Sequence, residues 1–299
     1  MLALLGWLSR RRLRSLHLAG AVLGWAAWLA SPRYRRRLRD NAALAGVGSA
    51  EQRRSVAEAG RMSAELPRLW LRPPGAALPD PVHWEGAEHI ERALGRPGGL
   101  LFLTPHLGAF EVSAQAYAER FGARQPMTVL YRPARQPWLR ELEAAARGRP
   151  GLATAPATLA GVRQMLRALR QGQTVGLLPD QVPPEGQGVW APFFGRPAYT
   201  MTLAARLVRQ TGALPLAAWC ERLPHGAGYR LRVQPLAVPL PPPPAATDGA
   251  DPAAEEAWTQ QAAEAINRSM EALVRQAPAQ YLWGYNRYRG PRPGLPPSR

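Results

Sequence analysis

Short apolar runs alternate with helical segments through most of this chain, and this alternation is what most constrains its fold. The apolar runs are rich in leucine, valine and aromatic residues, and segments with helical periodicity separate them. Such a pattern is typical of an α/β domain, so we expect a mixed, mostly parallel central sheet flanked by helices. The predicted strands are residues 100–104, 127–131, 174–179, 214–219 and 229–234, with helices near Phe110, Pro137, Thr158 and Thr202.

The sequence predicts three regions. Residues 41–290 provide about 250 residues, enough for one large α/β domain with a sizeable core. This domain should open with a helix over residues 51–71, interrupted by Pro67, and close with a helix over residues 253–276. Residues 291–299 are predicted to be a disordered tail.

Residues 1–40 are predicted to form a hydrophobic and basic membrane anchor. The apolar stretch 16–30 would span roughly 22 Å as a helix, against about 30 Å for the hydrocarbon core of a bilayer. Arginine clusters at 10–14 and 33–39 suit an anchor that either lies in the interface or barely crosses the bilayer. A cleaved signal peptide is the competing interpretation, although Trp28 stands where a small residue is needed.

The net charge points to an anionic partner. Arginine supplies all 38 basic residues, against 21 acidic ones, and the formal net charge is +17. Anionic lipid and an acidic carrier protein both fit. Nucleic acid is not expected, because the chain carries no zinc-finger, RNP-type or P-loop pattern.

The single cysteine, Cys220, excludes an intramolecular disulfide framework. It fits a body that faces the reducing cytosol, or simply a small buried core residue.

The segment HLGAFE is the strongest chemical signal. It places His106 and Glu111 five residues apart, in the turn between the strand at 100–104 and the helix that starts near Phe110. A carboxylate in the first helical turn could orient the imidazole and stabilise its charged form, although a simple helix cap is the plainer alternative. With no second histidine nearby, no metal site is expected, and no cofactor motif is present.

Polar residues follow three predicted strands. His106 follows the first of these strands, Arg132 the second and Asp180 the third. Reactive groups of α/β sheets collect at the carboxyl ends of strands, so these side chains are candidates for one site. Asp180 could equally be an ordinary turn residue.

In these motifs the chain resembles the lysophospholipid acyltransferase superfamily, in the branch of bacterial lipid A late acyltransferases of the lauroyl and myristoyl type. The resemblance extends from about residue 100 to 289. It rests on HLGAFE, YRPARQPWL, the Arg147–Gly148 pair, GLLPDQVPPEGQGVWAPFFGRPAYT and QYLWGYNRYR.

The resemblance implies a glycerolipid acyltransferase-like fold and a bacterial inner-membrane enzyme with its catalytic domain on the cytoplasmic face. Such an enzyme moves a fatty acyl group from acyl carrier protein to a hydroxyl of a lipid A precursor, in lipopolysaccharide biosynthesis and without a cofactor. His106 would be the general base and Glu111 its orienting partner. Residues expected to bind substrate or stabilise the transition state are Leu107 and Gly108 through their amides, Arg132, Arg147 and Asp180.

One block departs from the family pattern. After Trp283 the family usually carries a histidine and an arginine-rich run, whereas this chain continues Gly284, Tyr285 and Asn286 before Arg287. The acceptor therefore stays open between a lipid A precursor and a lysophospholipid or other membrane lipid. A thioesterase and a non-catalytic basic membrane-binding protein are the further alternatives.

Overall fold

The computed structural model of the protein describes residues 2–73, 75–131, 136, 148–244 and 251–291. The helix predicted near Pro137 and residues 292–299 of the predicted tail lie outside the described residues. The described helices are α1 (Leu2–Ser9), α2 (Leu13–Ala30), α3 (Pro32–Leu44), α4 (Ser49–Trp70), α5 (Ala87–Glu91), α6 (Phe110–Phe121), α7 (Leu159–Arg170), α8 (Leu203–Thr211) and α9 (Pro252–Gln276).

The expected α/β fold with a mostly parallel central sheet is confirmed. The strands are β1 (Val82–Glu85), β2 (Leu100–Leu103), β3 (Met127–Tyr131), β4 (Leu152–Pro156), β5 (Thr174–Leu177), β6 (Gly188–Phe193), β7 (Arg196–Met201), β8 (Leu214–Arg222) and β9 (Tyr229–Pro235). Seven of them form one sheet in the order β1-β9-β8-β2-β5-β3-β4, in which β8 and β9 are antiparallel and the other neighbours are parallel.

The position of strand β2 at the centre of the sheet explains why its sequence is apolar throughout. Leu101 and Leu103 face a core formed with α7, α8 and α9, whereas Leu100 and Phe102 face a second core under α5 and α6. Both faces of the strand are covered, so side chains of either parity must be apolar. Because both faces of β2 are buried, polar side chains such as that of His106 occur only after the strand ends.

Several elements differ from the sequence-based expectation. The edge strands β1 and β4 and the antiparallel hairpin of β6 and β7 were not predicted. Pro67 does not interrupt α4, because it lies in the last turn, and the helix closes on it when the amide of Leu71 donates to its carbonyl.

Helix α2 packs closely against α4 through glycines. Gly20 and Gly24 of α2 meet Gly60 of α4 so closely that a Cβ atom on Gly60 would overlap the carbonyl oxygen of Gly20. In the part of the chain that the structure describes, no helix has the length and apolar character needed to cross a membrane. An anchor that lies in the interface stays a prediction.

We predict that Gly60→Ala destabilises the protein. In a helix interior this substitution normally stabilises by about 0.5–1 kcal/mol, but here the added methyl group must push α2 away from α4, at a cost of about 1–3 kcal/mol. The control is Gly6→Ala in α1, where a Cβ meets nothing within 4 Å. Urea unfolding should give opposite signs for the two variants, and equal effects would contradict the close helix contact.

Candidate active site

The HLG turn, residues 106–108, is fixed by its backbone. Gly108 has a φ of 60°, and a Cβ there would overlap the carbonyl oxygen of Cys220 in β8. The amide of Ala109 donates to that same oxygen over 2.8 Å, and the amide of Leu282 donates to the carbonyl of His106 over 3.2 Å. Only glycine accepts this conformation without strain, so the turn holds His106 in one position.

His106 and Asp180 come together at the carboxyl ends of adjacent parallel strands. Asp180 follows β5, which pairs with β2. Its Oδ1 lies 2.7 Å from Nδ1 of His106, and its Oδ2 accepts the amide of His106 over 2.9 Å. The imidazole is therefore held by one carboxylate through both its ring and its backbone.

Asp180 is buried, with 2% of its surface exposed. Burial alone would raise the pKa of its carboxyl group, but the charge of His106, the two hydrogen bonds from His106 and the charge of Arg287 together lower it. The hydroxyl of Tyr281 also donates to Oδ2 over 3.1 Å. Asp180 is thus held as a carboxylate that can stabilise a positive charge on the ring.

The other ring nitrogen also has a partner. Nε2 of Gln181 lies 3.0 Å from Nε2 of His106. Gln181 and Tyr281 were missed by the sequence analysis, although both lie within the motif blocks noted there.

An apolar cavity lies close to the histidine. It lies between α6 and the sheet, with Thr104 and Phe110 close to the turn and Phe102, Tyr117 and Val129 among the other lining residues. The ring of Phe110 packs edge-on against that of His106, with 5.0 Å between the ring centroids. The histidine therefore lies close to a pocket suited to a hydrocarbon.

The family model described as bacterial lipid A biosynthesis acyltransferase matches residues 2–290. The chain belongs to that family. This confirms the resemblance noted from the motifs.

Two relatives give the scale of the similarity. The lipid A biosynthesis lauroyltransferase of Escherichia coli (strain K12) is 29% identical over 215 residues, which are 71% of this chain and 63% of the relative. The lipid A biosynthesis palmitoleoyltransferase of the same organism is 27% identical over 206 residues, 69% of this chain and 60% of the relative. The chain therefore spans less than two thirds of the length of either relative.

The structure places Asp180 in a buried position against Nδ1 of His106. Its expected role towards the substrate or the transition state stays a prediction. Glu111 lies half-buried in the first turn of α6, and its predicted role as orienting partner stays a prediction.

The amides of Leu107 and Gly108 already donate within the protein. Leu107 donates to the carbonyl of Pro105 over 2.7 Å, and Gly108 donates to the carbonyl of Gln280 over 3.0 Å. The expected oxyanion role would require either amide to give up its bond. Arg132 and Arg147 lie outside the described residues.

No group of three or more His, Cys, Asp or Glu side chains is arranged to hold a metal ion within the described ranges.

A buried cluster of charged side chains contacts the HLG turn. The guanidinium of Arg222 in β8 binds Glu65 of α4 through two hydrogen bonds of 2.8–2.9 Å and also donates to the carbonyl of Gly108 over 3.2 Å. Burial would raise the pKa of Glu65, but Arg222 and a hydrogen bond with His17 lower it. The cluster links α2 and α4 to the turn that carries His106.

We predict that Asp180→Asn lowers the free energy of unfolding at neutral pH by about 1–3 kcal/mol, because donors around the site lose a charged acceptor. The folded pKa of Asp180 is lowered, so its contribution is complete above its unfolded pKa of about 3.9 and is lost as the pH falls through the folded value. Urea unfolding should therefore give the same difference at pH 7 and 5.5, and a smaller one at pH 3.

The exposed Asp40 of α3 provides the control, since Asp40→Asn should change stability little at any of these pH values. A difference for Asp180→Asn that persists undiminished at pH 3 would mean that the native carboxyl group is already neutral at pH 7.

Proposed function

We propose that this protein transfers a fatty acyl group from acyl carrier protein to a hydroxyl of a lipid A precursor. The observation that carries the proposal is the His106–Asp180 pair beside an apolar cavity, in a chain of this family. The two relatives are named as a lauroyltransferase and a palmitoleoyltransferase of lipid A biosynthesis, which supports a fatty acyl group as the cargo.

His106 acts as the general base. With Nδ1–H donating to Asp180, the ring carries its lone pair on Nε2 and accepts the proton of the acceptor hydroxyl. The acceptor oxygen attacks the thioester carbonyl, and the tetrahedral intermediate collapses with loss of the carrier thiolate, which takes the proton from Nε2. Asp180 stabilises the imidazolium between these steps, and such proton transfer contributes about 10²- to 10⁴-fold in rate.

The apolar cavity receives the acyl chain. Thr104 and Phe110 are the lining residues closest in sequence to His106, and Phe110 packs against its ring, so a thioester carbonyl at this end of the cavity would be within reach of a hydroxyl bound to His106. Its walls carry no charged side chain among the described lining residues. Chain length would then be limited by the far wall of the cavity.

Charge and exposed apolar surface support the proposed partners. A formal net charge of +17 suits docking of an acidic carrier protein and contact with anionic lipid. Leu18, Val22, Leu23 and Leu29 of α2 are each more than 60% exposed. We propose that this face of α2 lies in the cytoplasmic interface of the bacterial inner membrane, and that Arg132 and Arg147 bind phosphate groups of the acceptor.

We predict that the purified protein, incubated with acyl carrier protein thioesters and a lipid A precursor, adds one acyl group to the acceptor. His106→Ala should lower the rate by at least about 10²-fold, because the base is lost, whereas His83→Ala on the exposed surface of β1 should not. Mass spectrometry of the products provides the measurement. If only a lysophospholipid is acylated, the proposed acceptor is wrong. Free fatty acid as the sole product would indicate a thioesterase. No product from folded protein would favour the non-catalytic binding protein.

We predict that Ala114→Leu shifts the acyl preference towards shorter chains. Ala114 of α6 lines the cavity, so a larger side chain there takes the space of methylene groups, each worth about fourfold in binding. Competition among thioesters of graded length measures the preference, with the exposed Ala153→Leu in β4 as the matched control. An unchanged preference would contradict binding of the acyl chain in this cavity.

A further inference from the structure

The base nitrogen of His106 is already occupied. Nε2 of the Gln181 side chain lies 3.0 Å from Nε2 of the ring, on the side opposite the bond from Nδ1 to Asp180. Thus both ring nitrogens have partners before any substrate binds.

The direction of this second bond follows from its atoms. A carboxylate can only accept, so Nδ1 carries a hydrogen for Asp180 and Nε2 of the neutral ring is left with a lone pair. The amide nitrogen of Gln181 is a donor without an available lone pair, so it donates to Nε2. An acceptor hydroxyl must donate to the same lone pair, and the two donors exclude each other.

The backbone on both sides of Gln181 is held in place. Asp180 accepts hydrogen bonds from His106 and Tyr281, and the amide of Val182 donates to the hydroxyl of Tyr285 over 3.0 Å. The Gln181 side chain itself is half-buried and has three rotatable bonds. It can therefore leave Nε2 by a change of rotamer, without movement of the loop.

We propose that Gln181 determines specificity by covering the base until an acceptor hydroxyl displaces it. A water molecule bound weakly beside Nε2 would otherwise be deprotonated, attack the thioester carbonyl and release the thiol and a free fatty acid. A bound acceptor, held by further contacts, competes for Nε2 where a single water does not. This inference rests on the proposed acyl transfer and concerns the choice between hydroxyl and water.

The first test does not depend on turnover. Diethyl pyrocarbonate acylates the unprotonated nitrogen of histidine, and peptide mass spectrometry resolves each of the five histidines. In Gln181→Met, which keeps the length of the side chain but removes the donor, the modification rate of His106 should rise roughly two- to tenfold, as expected for loss of one hydrogen bond. The rate at the exposed His83 should stay constant.

The second test measures the products. Gln181→Met should raise the ratio of free fatty acid to acylated lipid severalfold, whereas Gln187→Met, an exposed position further along the same segment, should leave it at the wild-type value. A His106 modification rate that does not change in folded Gln181→Met would overturn the covering of the base. A faster modification with an unchanged product ratio would overturn its role in specificity.

Failure of the proposed acyl transfer would give a different result from failure of the Gln181 inference. Wild-type protein that acylates no lipid would overturn acyl transfer, and the inference with it, whatever the modification rates of the histidines.

Discussion

The buried ion pair between Arg222 and Glu65 is the interaction on which the arrangement of the site depends. Both side chains are almost fully buried, and removal of one partner of such a buried pair typically costs about 3–5 kcal/mol. The same guanidinium binds Glu58 of α4 and the carbonyl of Gly108. One charged group thereby joins the N-terminal helices, strand β8 and the HLG turn.

The C-terminal segment, residues 280–287, encloses that turn from the other side. Its backbone bonds to His106 and Gly108, Tyr281 bonds to Asp180, and Asn41 of α3 donates to the carbonyls of Trp283 and Tyr285. The block that departs from the family pattern therefore helps to hold the HLG turn in place. Its sequence bears on the geometry of His106 as well as on any choice of head group.

The fold class, the central strands and the turn that carries His106 could be predicted, because they follow from local periodicity and from one short motif. It could not predict that Asp180 bonds to Nδ1, since that depends on β5 lying beside β2, a matter of strand order. The engaged amides of Leu107 and Gly108 likewise depend on local turn geometry and on Gln280, which is distant in sequence. Short edge strands such as β1 were missed because four residues carry little periodic signal.

The glycine contact between α2 and α4 has a geometric consequence. It makes α2 a rigid part of the α/β domain, because Gly60 fixes the helix spacing and His17 bonds to Glu65 over 3.1 Å in the buried cluster. The exposed leucines of α2 are thus at a constant offset from His106. With that face resting on the bilayer as we propose, the imidazole would sit at one set height above the lipid, and only hydroxyls presented at that height would be acylated.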